Sequence, residues 1–319
     1  MSRINPSPSL LPFDDIRALV DQMPGFDAGA ANVFMSQGPQ SGGRVSEVGG
    51  WMAGWQAQTR PVMRRPVVAL FAASHAVAPD LVDGLQIRQV AELVSAIQAR
   101  SGPVAQLCER SELGLKVFEL APELPVEDFS RGAAMQESDC AATIAYGMEA
   151  TTDGCDLLVV RAIAAGEQAS ITAMTTALLG EDGSLTHLRS VPEIELAARA
   201  MKTHQSCLKS PLELLRRLGG REAAAVAGAI VAARLQRVPV ILDGSLAVCV
   251  ALLLESLRTG SGDHCMVSGK DMHPDSTRLC TALGRPVLLS GKYEAQDGTS
   301  GALAAGLVAD MMALFGNTR

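Results

Sequence analysis

One carboxylate is distinguished by the run that precedes it. Glu167 follows residues 157–166, a nearly continuous apolar run that is typical of a strand buried on both faces. A carboxylate at the end of such a strand loses solvation, which raises its pKa toward the range of a general base that works near neutrality. A first-turn Glu in a helix that opens near Ser170 explains the same position, and the sequence leaves both interpretations open.

Small polar residues also follow other apolar runs. His75 comes after Ser74, Asp243 and Gly244 follow a Val-Pro-Val-Ile-Leu run, and later runs end in Ser-Gly-Lys. Ligands of a doubly wound sheet bind beyond the carboxyl ends of its strands, so these residues are expected to line one crevice. A helix cap explains Asp243, and an ordinary turn hydrogen bond explains His75, so both alternatives stay open.

A glycine-flanked segment lies near the C-terminus. Asp297 and Gly298 precede Thr299, Ser300 and Gly301, and an apolar Ala-Leu-Ala-Ala run follows. This pattern predicts a helix start whose free N–H groups face an anion such as a phosphate, because glycine permits close approach. An Asp or Thr N-cap without ligand is the competing interpretation.

The elements that must position these residues alternate along the chain. Apolar runs typical of strands occur at residues 67–73, 116–120, 157–162, 238–242, 265–268 and 286–289. Helical patterns occur at residues 85–99, 130–148, 171–179, 192–203, 222–234, 245–257, 276–283 and 301–315. The alternation predicts an α/β fold with a doubly wound, mostly parallel sheet and helices on both faces.

The first part of the chain has a different pattern, without the alternation of strands and helices. Residues 1–66 are mostly helical, with a helix at residues 13–23, a loop at 37–43 and a helix through Trp51 and Trp55. We expect this segment to form a small domain together with the C-terminal helices, and residues 67–319 to form an α/β domain of nucleotide-binding type.

Composition excludes several classes of protein. The 319 residues carry a net charge of -7 and are 48% hydrophobic but only 3% aromatic, which indicates a globular chain rather than a disordered one. Lys and Arg are scattered along the sequence and form no basic stripe, so nucleic-acid binding is not predicted. The chain start lacks a signal-peptide apolar region and no run is long enough to span a membrane, so we expect a cytoplasmic protein.

Cysteine and histidine usage predicts neither disulfides nor a metal site. The seven Cys residues form no C-x-x-C pair, which is typical of reduced thiols. A polar cluster that runs from His264 and Cys265 to Asp271, His273 and Asp275 has no pair at a known ligand spacing, which favours loop polar residues over a metal site. We expect no metal and no other cofactor.

In this order, the motifs resemble the nicotinate-nucleotide:dimethylbenzimidazole phosphoribosyltransferase family of cobalamin lower-ligand synthesis. The specific block is residues 218–245, with a Gly-Gly pair, an apolar helix and a Pro-Val-x-x-Asp-Gly strand end. Residues 72–77 are similar to the family's A-D-H-G-V motif, Gly166 and Glu167 to its G-E turn, and residues 297–304 to its G-E-G-(S/T)-G-A helix start. The resemblance spans residues 13–315.

The resemblance implies a pentosyl transfer between small molecules. A benzimidazole nitrogen displaces nicotinate from nicotinate mononucleotide, which gives α-ribazole phosphate in a homodimeric enzyme that needs orientation and one base. The implied catalytic residues are Glu167 and Asp297. The implied substrate-binding residues are Ser74, His75, Gly166, Ser170, Asp243, Gly244, Gly298, Thr299, Ser300 and Gly301.

Some positions depart from the family pattern. Ser74 stands where the family has Asp, and Gly298 aligns with the family's proposed base Glu, with Asp297 one position earlier. Glu193 stands near the place of a phosphate-binding Lys, which Lys270, Lys292 or an N–H nest at residues 298–301 could replace. The chain is therefore an active divergent enzyme, an enzyme with another base or nucleotide substrate, or a catalytically impaired paralogue that binds nucleotides or azoles in a regulatory role.

Overall fold

A parallel five-stranded sheet forms the centre of the computed structural model, which describes residues 12–37, 43–82, 84–293 and 296–316. The strands are β1 (Pro66–Ser74), β2 (Gly114–Glu119), β3 (Leu157–Ala165), β4 (Val240–Asp243) and β5 (Cys265–Val267). Their order in the sheet is β2-β1-β3-β4-β5, with every neighbouring pair parallel. The chain therefore reverses its winding direction between β1 and β3.

Helices connect the strands, and a short ladder follows them. The helices before β4 are α1 (Pro12–Asp21), α2 (Ala28–Gln37), α3 (Gly43–Gln56), α4 (Ile87–Gln98), α5 (Pro103–Arg110), α6 (Glu137–Gly147), α7 (Glu167–Leu179), α8 (Val191–Thr203), α9 (Pro211–Leu218) and α10 (Arg221–Leu235). After β4 come α11 (Ser245–Leu257), α12 (Ser276–Leu283) and α13 (Thr299–Ala313), together with a parallel two-stranded ladder of β6 (Lys270–Asp271) and β7 (Lys292–Tyr293).

Alternate residues of the strands belong to two separate cores. In β1, Val67, Ala69 and Phe71 pack into a core that includes α6, α10 and α11. Val68 and Leu70 pack on the other face, into a core that includes α3, α4, α5 and α13. The predicted doubly wound α/β fold is confirmed, because the sheet is parallel, helices pack on both of its faces, and the central strands β1 and β3 are buried along their whole length.

Glycines allow helices α6 and α10 to pack at unusually close range. A Cβ atom at Gly228 would lie 1.8 Å from the backbone oxygen of Ile144, and one at Gly147 would lie 2.0 Å from that of Ala225. Such positions admit no side chain without movement of the backbone. These two glycines are therefore a condition for bringing the two helices together over the sheet.

Some predicted elements differ from the structure. Residues 286–289 are not a strand, although Val287 forms one parallel bridge with Val267 and continues the sheet edge. The helix predicted from residue 130 begins at Glu137, because the preceding segment forms turns, and the short helices α2, α5 and α9 were not predicted. Residues 38–42 of the predicted loop lie outside the described residues.

The N-terminal helices share a core with the sheet. Trp51 and Met52 of α3 belong to the same buried cluster as Val68 and Leu70, and the Phe34 and Phe315 rings lie 4.6 Å apart. The proposed division at residue 66 stays a prediction. Within the described ranges, no helix combines the length and the apolar character needed to cross a membrane.

Candidate functional site

The candidate site lies where the sheet reverses its winding direction. Ser74 and Ala165, the last residues of β1 and β3, are partners across this pair of strands, and the N–H of His75 donates a 2.9 Å hydrogen bond to the oxygen of Ala165. Crevices at such a reversal are where doubly wound sheets bind ligands. The ends of β1 and β3, which the sequence singled out, therefore lie side by side at one edge of the sheet.

Arg161 is a buried cation in the middle of β3. Its side chain is 6% exposed, and its backbone lies opposite Asp243 of β4. Its Nη2 atom lies 3.7 Å from Oε1 of Glu167. A Cβ atom at Gly244, which has a φ of +85°, would lie 1.7 Å from Nη1 of Arg161, so glycine at this position makes room for the guanidinium.

Asp243 is buried and bonded on one side only. Its Oδ1 atom accepts hydrogen bonds from the hydroxyls of Ser268, at 2.7 Å, and Ser300. Its Oδ2 atom is buried and has no hydrogen-bond partner among the described residues. A Cβ atom at Gly301 would lie 2.4 Å from Val159, so this glycine lets the start of α13 approach the strands and bring Ser300 to Asp243.

Glu167 is the first residue of α7 and is buried in the crevice. Gly166 precedes it in the left-handed conformation, and one carboxylate oxygen faces Arg161. Burial raises the pKa of Glu167 to about 7; Arg161 and His75 oppose this effect, and the charges of Glu222 and Asp271 add to it. The Oε2 atom is buried without a hydrogen-bond partner in the described part of the chain. Glu167 thus has both a first-turn position and the raised pKa expected of a base.

His75 is bonded to an acid that the sequence did not single out. His75 and Glu222 are fully buried, with Nε2 of the histidine 2.6 Å from Oε1 of the glutamate. A Cβ atom at Gly166 would lie 3.1 Å from the Cβ of His75, so this histidine lies directly behind the turn that carries Glu167. Substrate contact by His75 stays a prediction.

The hydroxyls of Ser74 and Ser170 are bonded to the backbone. Ser74 donates to the oxygen of Pro122 and Ser170 to that of Leu218, each at 2.6 Å. Both side chains are completely buried. Their predicted contact with substrate stays a prediction, and it would have to use the acceptor side of each hydroxyl.

The start of α13 combines a cap with close packing. Oδ1 of Asp297 accepts a 3.0 Å hydrogen bond from the N–H of Thr299, whose Oγ1 atom is buried without a partner among the described residues. A Cβ atom at Gly298, with a φ of +94°, would lie 2.7 Å from Leu70. Packing and backbone conformation therefore explain Gly298 without a ligand.

The N-terminus of α11 carries an internal anion. Asp271 accepts hydrogen bonds from the N–H and the hydroxyl of Ser245, both at 2.6 Å, and one from the N–H of His273. Burial by itself raises the pKa of Asp271, but Arg161, Ser245 and His273 outweigh it and hold the pKa below its usual range. A phosphate has to bind elsewhere unless Asp271 moves.

The residues considered for phosphate binding have different surroundings. Glu193 accepts a hydrogen bond from Thr172 and lies 3.9 Å from Nε of Arg189, so it is part of a buried polar network. Lys270 and Lys292 are backbone partners in the β6–β7 ladder. Among the described residues, no group of three or more His, Cys, Asp or Glu side chains could hold a metal ion.

Arg161 was missed at the sequence level, although it interrupts an apolar strand. Residues on its face of β3, such as Val159 and Ile163, are apolar and pack toward α13. A lone charge in that alternation was the available signal. A cavity of about 600 Å³ between α5 and α13 is lined by Leu107, Leu303 and neighbouring residues but by none of the candidate site residues.

Comparisons with known proteins identify the family of the chain. A family model described as Phosphoribosyltransferase matches residues 27–318. Proteins named nicotinate-nucleotide--dimethylbenzimidazole phosphoribosyltransferase include one from Sinorhizobium sp, 38% identical over 95% of this chain and 93% of the relative, and one from Brucella canis, 39% identical over the same shares.

Solved structures share the fold. CobT from Thermus thermophilus superposes with a TM-score of 0.78 at 22% identity, over 94% of this chain and 96% of that one. A second structure, that of a nicotinate-nucleotide-dimethylbenzimidazole phosphoribosyltransferase from the same organism, gives a TM-score of 0.77 at 23% identity over 97% of this chain and 98% of that one.

Proposed function

The chain belongs to the nicotinate-nucleotide–dimethylbenzimidazole phosphoribosyltransferase family, and from this premise we propose its reaction and the residues that carry it. It moves the phosphoribosyl group of nicotinate mononucleotide to 5,6-dimethylbenzimidazole or a related base. The products are α-ribazole phosphate and nicotinate. It is therefore a pentosyltransferase that acts on small molecules.

The observation that supports this chemistry is a pair of incompletely bonded carboxylates beside one guanidinium. Oε2 of Glu167 and Oδ2 of Asp243 are buried without hydrogen-bond partners among the described residues. Buried polar atoms are normally paired, so bare acceptors in a crevice indicate sites that a ligand fills. An azole N–H and a ribose hydroxyl are donors suited to these two oxygens.

Glu167 is the group that we assign to the proton. The azole nitrogen forms a bond to C1′ of the ribose, the bond to nicotinate breaks, and its electron pair returns to the pyridine nitrogen. The azole N–H proton passes to Oε2 of Glu167. A pKa of about 7 keeps a large fraction of this carboxylate ionised near neutrality while it remains basic enough to accept the proton.

Asp243 is assigned to the ribosyl group. Positive charge develops on the ribose as nicotinate leaves, and a fixed, desolvated carboxylate favours that charge. The hydroxyls of Ser268 and Ser300 hold Asp243 from one side, which keeps the other oxygen oriented toward the crevice. Asp297 is the weaker candidate for the base, because its Oδ1 atom accepts the N–H of Thr299.

The phosphate of the donor is assigned to the β6–β7 ladder. Asp271 already occupies the N-terminus of α11, whereas Lys270 and Lys292 are backbone partners just beyond β5. The ammonium group of Lys270 supplies positive charge of the kind that a phosphate requires. Lys270→Gln is expected to raise KM for nicotinate mononucleotide about tenfold with little change in kcat, since one charged contact contributes roughly 1.5–3 kcal/mol.

The direct test is to incubate purified protein with nicotinate mononucleotide and dimethylbenzimidazole and to measure nicotinate by chromatography. We expect azole-dependent release of one nicotinate per ribotide formed. Reactions without azole control for hydrolysis, and Glu167→Gln controls for a contaminating enzyme. A folded wild-type protein that releases no nicotinate with dimethylbenzimidazole, benzimidazole or other azoles would contradict the proposal.

The assembly and location are also proposals. We propose a homodimer because the family resemblance implies one, and a cytoplasmic location because the substrates are soluble metabolites. Sedimentation velocity at micromolar concentration is expected to give a dimer, and a monomer there would contradict the assembly. The acidic balance of 34 Asp and Glu against 27 Lys and Arg supports small-molecule partners rather than nucleic acid.

A further inference from the structure

Arg161 has few bonding partners among the described residues. A guanidinium has five N–H donors, yet within the described ranges its one ion pair within 4.0 Å is the 3.7 Å contact with Glu167. Its Nε atom is buried and has no hydrogen-bond partner in the same part of the chain. A buried cation with so few bonds is unfavourable for stability unless its position serves another purpose.

The fold does not require a charge at this position. Leu70 of β1, the register partner of Arg161, is fully buried in the core on the α13 side of the sheet. An apolar side chain is therefore accommodated in the neighbouring strand at the same height. Replacing a buried charge with an apolar residue is often neutral or stabilising, so folding alone gives no reason for arginine here.

Acidic groups surround the guanidinium. Burial alone lowers the pKa of Arg161 and is the largest single effect, but the charges of Glu167, Asp243, Asp271 and Asp297 together raise it. The guanidinium also lies against Gly244, the residue after Asp243, where a Cβ atom would overlap Nη1. Arg161 is thus a cation whose charge interacts with both the proposed base and the proposed ribosyl contact.

We propose that Arg161 is a positioning residue for the transfer, holding the carboxylate of Glu167 by direct contact and that of Asp243 through its charge, so that Oε2 and Oδ2 face the substrates. This role rests on the proposed function. Arg161 touches no reacting atom and acts through the two acids. Their orientation is maintained without the water that would otherwise solvate them.

The kinetic test compares variants across pH. Glu167 is faced by Arg161 from β3, Glu222 from α10, Asp271 from β6 and His75 after β1, and Arg161 has the largest effect on its pKa among these charges. Arg161→Met is expected to move the acidic limb of kcat/KM upward by about 1–3 pH units, the usual effect of an adjacent opposite charge. Arg161→Lys keeps the charge and is expected to shift the limb by less.

A buried arginine outside the crevice serves as the matched control. Arg234 is buried, donates to the oxygen of Pro24 and lies 3.9 Å from the centre of the Trp55 ring. Arg234→Met is expected to lower Tm and leave the midpoint of the acidic limb unchanged. An equal shift in both variants would reduce the role of Arg161 to general stability and overturn the proposal.

A second measurement does not depend on activity. Side-chain carboxyl carbons labelled with ¹³C are titrated by NMR, and Glu167 is assigned from the resonance that Glu167→Gln lacks. Glu167 is expected to titrate at least about 1 pH unit higher in Arg161→Met than in wild type. A folded variant with unchanged titration overturns the proposal, and Arg161→Lys, with an expected smaller shift, decides the question if the Met variant does not fold.

The two failures are distinguishable. A wild-type protein that releases no nicotinate contradicts the proposed function, while the NMR titration still reports whether Arg161 acts on Glu167. If the protein is active but the titration of Glu167 is unchanged in Arg161→Met, the proposed function stands and the positioning role of Arg161 is refuted.

Discussion

The crevice and the contact between helices α6 and α10 lie on the same sheet and are built on opposite principles. The helix contact is apolar and so close that Gly147 and Gly228 leave no space for a methyl group. The crevice buries Arg161, Glu167, Asp243 and their neighbours with several polar atoms unpaired among the described residues. The first region stabilises the fold, whereas the second lowers stability and supplies reactive groups.

The difference shows which residues respond to which kind of change. A buried carboxylate with a raised pKa stores free energy that substrate or proton binding releases, so its replacement alters rate and pH dependence. A glycine between helices has no titratable or ligand-binding group, so its replacement changes only the packing of the helices. Four experiments separate the two behaviours, beginning with the largest expected effect.

Glu167→Gln is expected to lower kcat for nicotinate release by roughly 10²–10⁴-fold, because the amide fills the same volume but cannot accept the proton. In wild type, kcat/KM should rise with pH through a midpoint near 7, since the base must be ionised. Thermal melting is the folding control. If the variant melts like wild type and also keeps the wild-type kcat, the role of general base would be assigned to Asp297 instead.

The same variant should change the pH dependence of stability. Glu167 has a pKa of about 7 in the folded protein against 4.5 for the free side chain, so its stabilising contribution is complete below pH 4.5 and lost as pH rises to about 7. The stability difference between Glu167→Gln and wild type should therefore grow in favour of the variant by about 3 kcal/mol over this range. Urea unfolding at several pH values measures it, and a constant difference would refute the raised pKa.

Gly228→Ala tests the helix contact. Helix propensity alone favours the substitution by about 1 kcal/mol, but the added methyl would lie 1.8 Å from the oxygen of Ile144, so we expect a net loss of about 1–3 kcal/mol. Gly132→Ala is the control, because its methyl meets no atom within 4 Å. Calorimetric melting of both variants measures this loss. A Gly228→Ala protein at least as stable as wild type would show that the helices can separate without loss of stability.

Ser300→Ala should have the smallest effect. It removes one of the two hydroxyl donors to Oδ1 of Asp243, so kcat/KM is expected to fall by roughly tenfold, which corresponds to about 1.4 kcal/mol for a bond to a charged group. The control is Ser261→Ala, whose buried hydroxyl bonds to the oxygen of Arg258. Ser261→Ala should lower stability slightly and leave activity unchanged. If Ser261→Ala and Ser300→Ala lost the same activity, Ser300 would have no specific role in the site.

The sequence was sufficient for the sheet and for much of the crevice edge. Apolar runs of strand length predicted all five strands of the sheet, and the residues after β1, β3 and β4 meet where the strand order predicts. Burial of a strand end also predicted that the pKa of Glu167 is raised. These features are local, because a buried run and the residue after it share one segment of chain.

Contacts between distant segments were decided by the tertiary structure. Arg161 meets Glu167 across a turn and Asp243 across a strand pair, and Asp271 reaches α11 from a segment 26 residues later in the chain. His75 and Glu222 are 147 residues apart. The sequence determined which side chains lie at strand ends, but it could not determine their partners, because pairing depends on register, helix packing and exclusion of water, which arise only when the whole sheet is assembled.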